Sequence, residues 1–395
     1  MAGEIRLPGL DGRVDVHRDH MGIPHIYATT AHDLFMAQGY VHAQDRFWQM
    51  DVWRHIGSGR LAEMFGADQV ETDEFLRTLG WERLARTEWE QATAEMQQIL
   101  TAYAAGVNAY LAERSPAELS FEYSILELVN RSYTPAPWEP INTLTWAKAL
   151  AWELRGNMDS EIVRSLLAGA LTPDQLADLF PPYPADHPVI AGGDYGSAQT
   201  VPAVPPVATA LVAEAAARFE DLDRWLPGGD SGIGSNSWAI AGSRTASGTP
   251  ILANDPHLAS QIPSIWYQIG LHCTATGPDC PYRVAGFSFA GAPGVVIGHN
   301  ERIAWGFTNL GPDVMDLYIE RINPDDPNQY EVDGEWRDME ITSETISVGG
   351  GDPAELTIRS TRHGPIITDV YGPLDDFAAD AGIELPDRFA IALRW

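Results

Sequence analysis

The pattern of apolar residues changes near the middle of the chain, and this change limits the folds that the chain can adopt. In the first 180 residues, apolar side chains recur mostly at spacings of three and four, which is typical of amphipathic helices. After Ser235, short apolar runs alternate with Gly, Asn and Pro turns, which is typical of strands. The sequence therefore predicts an α+β chain in three parts: a helical region (1–180), a linker region (181–234) and a β-rich region (235–395).

The helical region contains four candidate helices. Thr30 to Asp33 supply N-caps for the first, in which Gly39, Gly57 and Gly59 are predicted to kink or end the helix. The predicted helices are Leu34–Gly66, Trp81–Glu113, Leu144–Leu154, a fourth from Asp159 or Ser160 through Leu171, and an Ala-rich helix, Ala208–Leu226, in the linker region. The last residues, Arg388–Trp395, are predicted to form a strand with no turn after it, so we expect the chain to stop within the fold.

Charge and hydropathy exclude several classes of function. The chain has 25 Lys and Arg against 55 Asp and Glu, and the net charge of -30 argues against binding to nucleic acids or anionic membranes. No segment approaches the roughly 20 apolar residues that a membrane span requires. Met1 to Arg13 lacks the basic start and apolar run of a secretory signal, so the sequence as written predicts a cytoplasmic chain.

The two cysteines, Cys273 and Cys280, are too few for a disulfide scaffold or a thiolate zinc site. They fit either a small disulfide, which favours an oxidising compartment, or two free thiols.

Several common site motifs are absent, namely the zinc-protease, phosphate-loop, nucleophile-elbow and dinucleotide signatures. What remains is Gly234-Ser235-Asn236-Ser237-Trp238 at the start of the β-rich region, which alone is an ordinary loop-to-strand turn. Four segments then follow it in order: Asn254-Asp255-Pro256-His257, Gly298-His299-Asn300, Trp305-Gly306-Phe307-Thr308-Asn309 and Asp313-Val314-Met315-Asp316.

Together these segments resemble the penicillin acylase family of N-terminal nucleophile hydrolases, and the resemblance extends from about Arg13 to Trp395. Two segments of the helical region are similar to the start of that family: Arg18-Asp19-x-x-Gly22-x-Pro24-His25-Ile26 and Gln44-Asp45-Arg46-Phe47-Trp48-Gln49-Met50. The resemblance implies a four-layer αββα fold, incomplete in this chain. Relatives in this family often work in the periplasm or outside the cell.

The resemblance also implies a self-processing amidohydrolase. A precursor of this kind cuts its own backbone before a serine, here between Gly234 and Ser235, and the freed α-amine then serves as the base for the serine hydroxyl. An α-amine with a pKa near roughly 8 suits that role. The two chains, α and β, are expected to stay together as a heterodimer. The expected substrates are small-molecule N-acyl amides, with β-lactam side chains and acyl-homoserine lactones as examples.

Three catalytic residues are expected from the resemblance. Ser235 is the nucleophile, His257 orients the α-amine or the oxyanion, and Asn309 supplies a backbone N–H to the oxyanion. The oxyanion's second donor, an asparagine in relatives, is expected beyond Trp395. Without the family resemblance, the sequence predicts that His257 is a solvated loop residue.

The resemblance further implies a structural calcium ion. Its expected ligands are the carboxylates of Glu161, Asp313 and Asp316 and the carbonyl of Met315, with further ligands beyond Trp395. Calcium takes about six to eight oxygen ligands and suits such a set. The competing interpretation is that these are surface carboxylates of an acidic protein.

Two other functions stay open. A catalytically incomplete fragment or pseudoenzyme would bind acyl ligands without turnover. A carbohydrate-active protein would use its 13 tryptophans for sugar stacking, although no carboxylate pair stands out. Trp146, Trp152, Phe287 and Phe307 fit either an acyl pocket or the core.

Overall fold

The computed structural model of the chain describes residues 3–112, 114–154, 171–181, 235–258, 260–309, 314–371 and 388–395, and five positions between 161 and 168. The chain divides into two compact units. The first contains Met1–Leu154, Leu226–Leu310 and Thr345–Leu356, and the second contains Arg155–Trp225, Gly311–Glu344 and Thr357–Trp395. The three predicted regions have their boundaries at residues 180 and 234 instead, and the second boundary is the expected cleavage point. This division stays a prediction. Apart from residue 181, the predicted linker lies outside the described residues, as do the Ala-rich helix and most of the predicted fourth helix.

The first unit is rich in helices up to residue 154. They are α1 (Ala31–Ser58), α2 (Leu61–Phe65), α3 (Val70–Leu79), α4 (Trp81–Gln91), α5 (Ala94–Leu111), α6 (Pro116–Leu119), α7 (Phe121–Leu126) and α8 (Pro140–Glu153). A short helix of the second unit, α9, spans Pro173–Leu179. Within the described residues, no helix is both long enough and apolar enough to cross a membrane.

Helix α1 is bounded by the predicted residues Thr30 and Gly59, but the predicted run Leu34–Gly66 is divided into α1 and α2, and the kink lies elsewhere. The Thr30 side chain caps it by accepting the Asp33 N–H, and Gly59 ends it in the left-handed conformation with φ 59°. The non-helical residue inside is Arg46, not Gly39 or Gly57, so that prediction was wrong. Those two glycines instead allow close packing, because a Cβ on Gly39 would lie 2.1 Å from the carbonyl oxygen of Tyr103 in α5.

The predicted helix Trp81–Glu113 is two helices. Helix α4 ends at Gln91, and the Thr93 side chain caps α5 by accepting the Met96 N–H. The apolar residues keep their helical spacing across residues 92 and 93, so the periodicity alone does not reveal the break between the two helices. The helix predicted from Leu144 starts four residues earlier, where Glu139 and Asn142 form a capping box around Pro140.

The β-rich region contains most of the strands, as predicted. They are β1 (Asp15–Arg18), β2 (Pro24–Ala28), β3 (Asn236–Ile240), β4 (Ile251–Asp255), β5 (Trp266–Cys273), β6 (Arg283–Phe289), β7 (Ile297–His299), β8 (Ala304–Trp305), β9 (Asp316–Ile322), β10 (Gln329–Val332), β11 (Glu335–Asp338), β12 (Glu340–Ile346), β13 (Ala354–Thr361), β14 (Gly364–Pro365) and β15 (Arg388–Arg394). Among the described residues these strands form four sheets, with the orders β1-β2-β5-β6-β7-β8, β11-β10-β9-β15, β12-β13-β14 and β3-β4.

One face of the six-stranded sheet forms a core with α1 and α5. The inward residues alternate along β2 and β5, and they include Ile26, Ala28, Ile269 and Leu271, each at most 1% exposed. The cysteines join this core as a disulfide between Cys273 and Cys280, which resolves the alternative that the sequence left open.

A buried hydrogen-bonded group fixes the centre of α1. His42 lies 2.8 Å through Nδ1 from the Tyr103 hydroxyl and 3.1 Å through Nε2 from the Ser288 Oγ. Because the Ser288 hydroxyl donates to the Tyr267 carbonyl, the imidazole donates from Nε2 and accepts at Nδ1. Burial, with a smaller effect of Arg46, lowers the pKa of His42 to about 3, so the ring is neutral.

In the second unit, β9 is paired on both sides, with β10 and β15. The predicted terminal strand is confirmed as β15, which pairs antiparallel with β9 from Arg388 opposite Ile322 to Arg394 opposite Asp316. Apolar residues of these strands make a separate small core around Tyr330, Ile366 and Ala392.

Candidate active site

The predicted nucleophile lies at the start of the two-stranded ribbon β3–β4 in the first unit. The strands pair antiparallel from Asn236 opposite Asp255 to Ile240 opposite Ile251. Ser235 directly precedes β3, and Pro256 and His257 directly follow β4. The hairpin therefore brings two segments about 20 residues apart in sequence to one end of the ribbon.

Ser235 and His257 are in contact through the backbone of His257. Its N–H donates to the Ser235 Oγ over 3.2 Å. In this contact the serine oxygen accepts a hydrogen bond, so the serine hydroxyl can still donate its own proton to a base. Ser235 itself is half-buried, so its hydroxyl is within reach of a ligand.

The imidazole of His257 has a different partner. Its Nε2 lies 3.1 Å from the Asp255 Oδ2, and the histidine side chain is 30% exposed. The backbone of His257, rather than its ring, thus makes the observed contact with the serine. The predicted role of the ring in orienting the α-amine or the oxyanion stays a prediction.

Asn254 joins the ribbon to the segment that leads to Asn309. Its Nδ2 donates to the Asn236 carbonyl over 3.1 Å and to the Phe307 carbonyl over 2.9 Å, while its Oδ1 accepts the Phe307 N–H over 3.1 Å. Gly306 makes room for this side chain, because a Cβ there would lie 2.6 Å from the Asn254 Oδ1. No role was predicted for Asn254, although it stands in one of the quoted segments, because its contact with Phe307 spans 53 residues of sequence.

Asn309 is held at the end of this segment. Its Nδ2 donates to the carbonyl of Leu154, the residue that caps α8, over 3.0 Å. With the side-chain amide so placed, the backbone of residues 307–309 is tied at both ends, to Asn254 and to α8. The expected role of the Asn309 backbone N–H as a donor to the oxyanion stays a prediction.

The four aromatic candidates for an acyl pocket separate into two pairs. Trp146 and Trp152 are at most 2% exposed and belong to the packed interior. Phe287 and Phe307 are 37% and 60% exposed. Phe307 adjoins the site, because its backbone is the partner of Asn254.

The expected calcium ligands belong to the second unit, and the structure describes three of the four. Met315 is fully buried, Asp316 opens β9 with an exposed side chain, and Glu161 is half-buried. Asp313 lies outside the described residues, as does Gly234 at the expected cleavage point.

The segments that begin at Arg18 and at Gln44, which resemble the start of the penicillin acylase family, have structural roles. The Arg18 guanidinium forms a two-pronged ion pair with Asp45, whose carboxylate also accepts the Tyr267 hydroxyl. At the kink of α1, Arg46 donates to the carbonyl of Ser264, and Gln49, three residues further on, donates to the same carbonyl. These contacts tie the turn after β1 and the kink of α1 to the entry of β5.

Comparison with known proteins agrees with this architecture. The family model described as penicillin amidase matches residues 13–395. The chain is 34% identical to the acyl-homoserine lactone acylase QuiP of Pseudomonas aeruginosa and 36% identical to the penicillin acylase 2 proenzyme of a Pseudomonas species. It is 29% identical to the penicillin G acylase of Escherichia coli. These alignments cover 94%, 93% and 91% of this chain, and 42%, 45% and 47% of the relatives.

The helical first half, the β-rich second half and the match over residues 13–395 define an N-terminal nucleophile hydrolase fold, which confirms the predicted fold class. The chain belongs to the penicillin amidase family. It spans less than half the length of the curated relatives it matches.

Proposed function

We propose that this chain is the precursor of an amidohydrolase that cleaves linear N-acyl amides by acyl transfer to Ser235. Support comes from family membership and from relatives named as acylases of penicillins and of acyl-homoserine lactones. The observation that carries the proposal is the Ser235 Oγ held 3.2 Å from the His257 N–H at the end of the ribbon.

The proposed first step is self-cleavage between Gly234 and Ser235. The Ser235 Oγ attacks the Gly234 carbonyl carbon, the C–N bond breaks, and the hydroxyl proton ends on the serine nitrogen. Water then opens the resulting ester, leaving a Gly234 carboxylate and a Ser235 with a free α-amine and a restored hydroxyl. Glycine at 234 offers no side chain to obstruct the attack. The word proenzyme in one relative's name supports such a step.

In the proposed turnover, the new α-amine takes the proton of the Ser235 hydroxyl as its oxygen attacks the substrate amide. The amine then gives that proton to the leaving nitrogen, and water releases the acyl group from the serine. We assign Asn309 the backbone donor to the oxyanion and His257 the positioning of the serine oxygen. The two chains are proposed to remain associated as a heterodimer.

The proposed substrate class is a small N-acyl amide with an apolar acyl group. Exposed Phe307 supports this, because Asn254 donates both to its carbonyl and to the carbonyl of Asn236, the residue after Ser235. Side-chain amides of β-lactams and acyl-homoserine lactones both belong to this class, as the names of the relatives indicate.

We also propose that Glu161, Asp313, Asp316 and the Met315 carbonyl bind calcium. All four donors are oxygens, which is what Ca²⁺ prefers. Calorimetric titration with CaCl₂ should show saturable binding in the wild type and at least about tenfold weaker binding in Asp316→Asn. Equal binding by both proteins contradicts this assignment.

Intact mass and N-terminal sequencing of the purified protein test the main proposal. The wild type should yield a new chain that begins at Ser235, and Ser235→Ala should stay whole. Ser237→Ala, two residues along the same strand, is the matched control and should be cut like the wild type.

The processed protein is then assayed for release of free amine from an acyl-homoserine lactone and from a penicillin. A chain that remains whole and releases no amine contradicts the proposal. Saturable binding of acyl ligands by that intact chain would instead support the pseudoenzyme alternative.

A further inference from the structure

The face of the six-stranded sheet opposite α1 and α5 carries a group of histidines that the proposed function does not use. Along β2 and β5, the core residues alternate with His25 and Tyr27 and with Gly270 and His272. The strands pair in parallel with His25 opposite Gly270 and Tyr27 opposite His272. His25, Tyr27 and His272 therefore share the face that points away from α1 and α5.

Two imidazole nitrogens converge on this face. The Nδ1 of His25 and the Nε2 of His272 are 3.3 Å apart, and the two rings are within 13° of parallel. The ring of Tyr27 stacks on His272 with centroids 4.7 Å apart, which restrains the orientation of that imidazole. Both histidines are half-buried.

Gly270 is the residue that permits this convergence. A Cβ at that position would lie 2.4 Å from the His25 Nδ1 and 2.6 Å from the His272 Nε2. Any side chain there would push the two nitrogens apart. The pair thus occupies the space that a missing side chain leaves above the sheet.

A third imidazole lies on the neighbouring strand. His17 of β1 is directly opposite His25 in the antiparallel pair β1–β2, so both side chains leave the same face. Its ring contacts Tyr27 with centroids 5.6 Å apart, and it is exposed. Cβ atoms of such opposed residues are about 4.5–5.5 Å apart, so rotation of the His17 side chain brings its ring to the pair.

The spacing of the nitrogens matches that of two ligands on one metal ion. With zinc–nitrogen bonds of about 2.0–2.1 Å, two corners of a tetrahedron are about 3.3–3.4 Å apart. We propose that His25 and His272, with His17 as third ligand, bind a divalent first-row transition metal ion such as Zn²⁺. Imidazole nitrogen suits these ions, whereas calcium and magnesium take oxygen.

The surroundings are compatible with a bound cation. Arg283, opposite His272 in the pair β5–β6, has its charge offset by Glu301 at 3.0 Å. A groove of about 540 Å³, lined in part by Tyr27, His272 and Thr274, gives an ion access to His272. The ion would join β1, β2 and β5, and it would stabilise the folded chain by binding it in preference to the unfolded one.

Titration of the chelator-treated full chain, without an oligohistidine tag, with ZnCl₂ tests this site. Calorimetry should give one ion per chain, and His25→Gln and His272→Gln should each weaken binding at least about tenfold. His17→Gln should weaken it by a smaller factor. His20→Gln, an exposed histidine in the turn between β1 and β2, is the matched control and should bind like the wild type.

A second measurement guards against misfolded variants. Far-ultraviolet circular dichroism must be the same for all four variants, and zinc should raise the melting temperature of the wild type and His20→Gln but not of His272→Gln. Absence of saturable binding by the wild type would overturn the proposal, since the histidine pair would then be only an N–H···N hydrogen bond. Unchanged affinity in His25→Gln and His272→Gln would overturn it equally.

Discussion

Two parts of the first compact unit hold their strands in opposite ways. In the six-stranded sheet, β2 and β5 bury alternate residues against α1, and their inward side chains are almost wholly shielded from water. In the ribbon β3–β4, all five residues of β3 are exposed, including Trp238 at 66%. Apolar packing therefore fixes the sheet, whereas the end of the ribbon that carries Ser235 is fixed by the hydrogen bonds of Asn254. Stability and site geometry should accordingly respond to different substitutions.

The largest effect is expected where α1 and α5 cross beneath the sheet. A Cβ on Gly106 would lie 1.8 Å from the carbonyl oxygen of Met36, so Gly106→Ala must force the two helices apart. We expect a loss of about 3 kcal/mol or more in the free energy of unfolding, measured by urea titration. Gly277→Ala, where nothing lies within 4 Å of the added Cβ, should stay within about 0.5 kcal/mol of the wild type. Equal losses in the two variants would show that the crossing is not tightly packed.

The second effect is acid sensitivity of the core. The pKa of His42 is lowered to about 3 in the folded chain, so between that pH and about 6.5 the unfolded chain binds a proton that the folded chain does not. Stability is therefore lost as the pH falls below about 6.5. Between pH 7 and 4.5 we expect the wild type to lose about 2 kcal/mol more than His42→Gln in urea titrations. The exposed His20→Gln should lose as much as the wild type, and parallel pH profiles of wild type and His42→Gln would contradict the assignment.

Features of the fold could be predicted from the sequence where they depend on residues that are close together in the chain. The cap at Thr30 and the left-handed end at Gly59 are local, and both were predicted. Gly39 was read as a break, but it lies inside α1 because its role is set by Tyr103, in another helix. The break before Thr93 was hidden by continuous apolar spacing.

The candidate site shows the same limit. Ser235 and His257 were found because they stand in segments that follow one another in a recognisable order. The role of Asn254 was missed because its partner Phe307 lies 53 residues further along the chain, beyond β5 to β8. Sequence patterns therefore indicated the proposed nucleophile but not the side chain whose hydrogen bonds join its ribbon to the segment around Phe307.

Asn254→Ala tests that positioning role with a smaller effect on stability. The loss of its exposed hydrogen bonds should cost about 1 kcal/mol in unfolding free energy. The rate of cleavage before Ser235, followed by intact mass, should fall at least about tenfold, because displacement of the reacting groups by about 1 Å costs up to about 100-fold. Ser247→Ala, in the turn of the same ribbon, is the control and should be cut at the wild-type rate. Unchanged cleavage in Asn254→Ala would mean that the ribbon backbone orders the site without this side chain.

The smallest effect is expected for Trp238→Ala in β3. Because the indole is 66% exposed and its strand has no buried residue, its removal takes little apolar surface out of a packed environment. We expect a change of no more than about 0.5 kcal/mol in unfolding free energy, although a tryptophan lost from a core costs about 3–5 kcal/mol. A loss above about 2 kcal/mol would show that apolar packing holds the ribbon after all. A near-zero change, combined with slow cleavage in Asn254→Ala, would instead show that apolar packing stabilises this unit while the hydrogen bonds of Asn254 align Ser235.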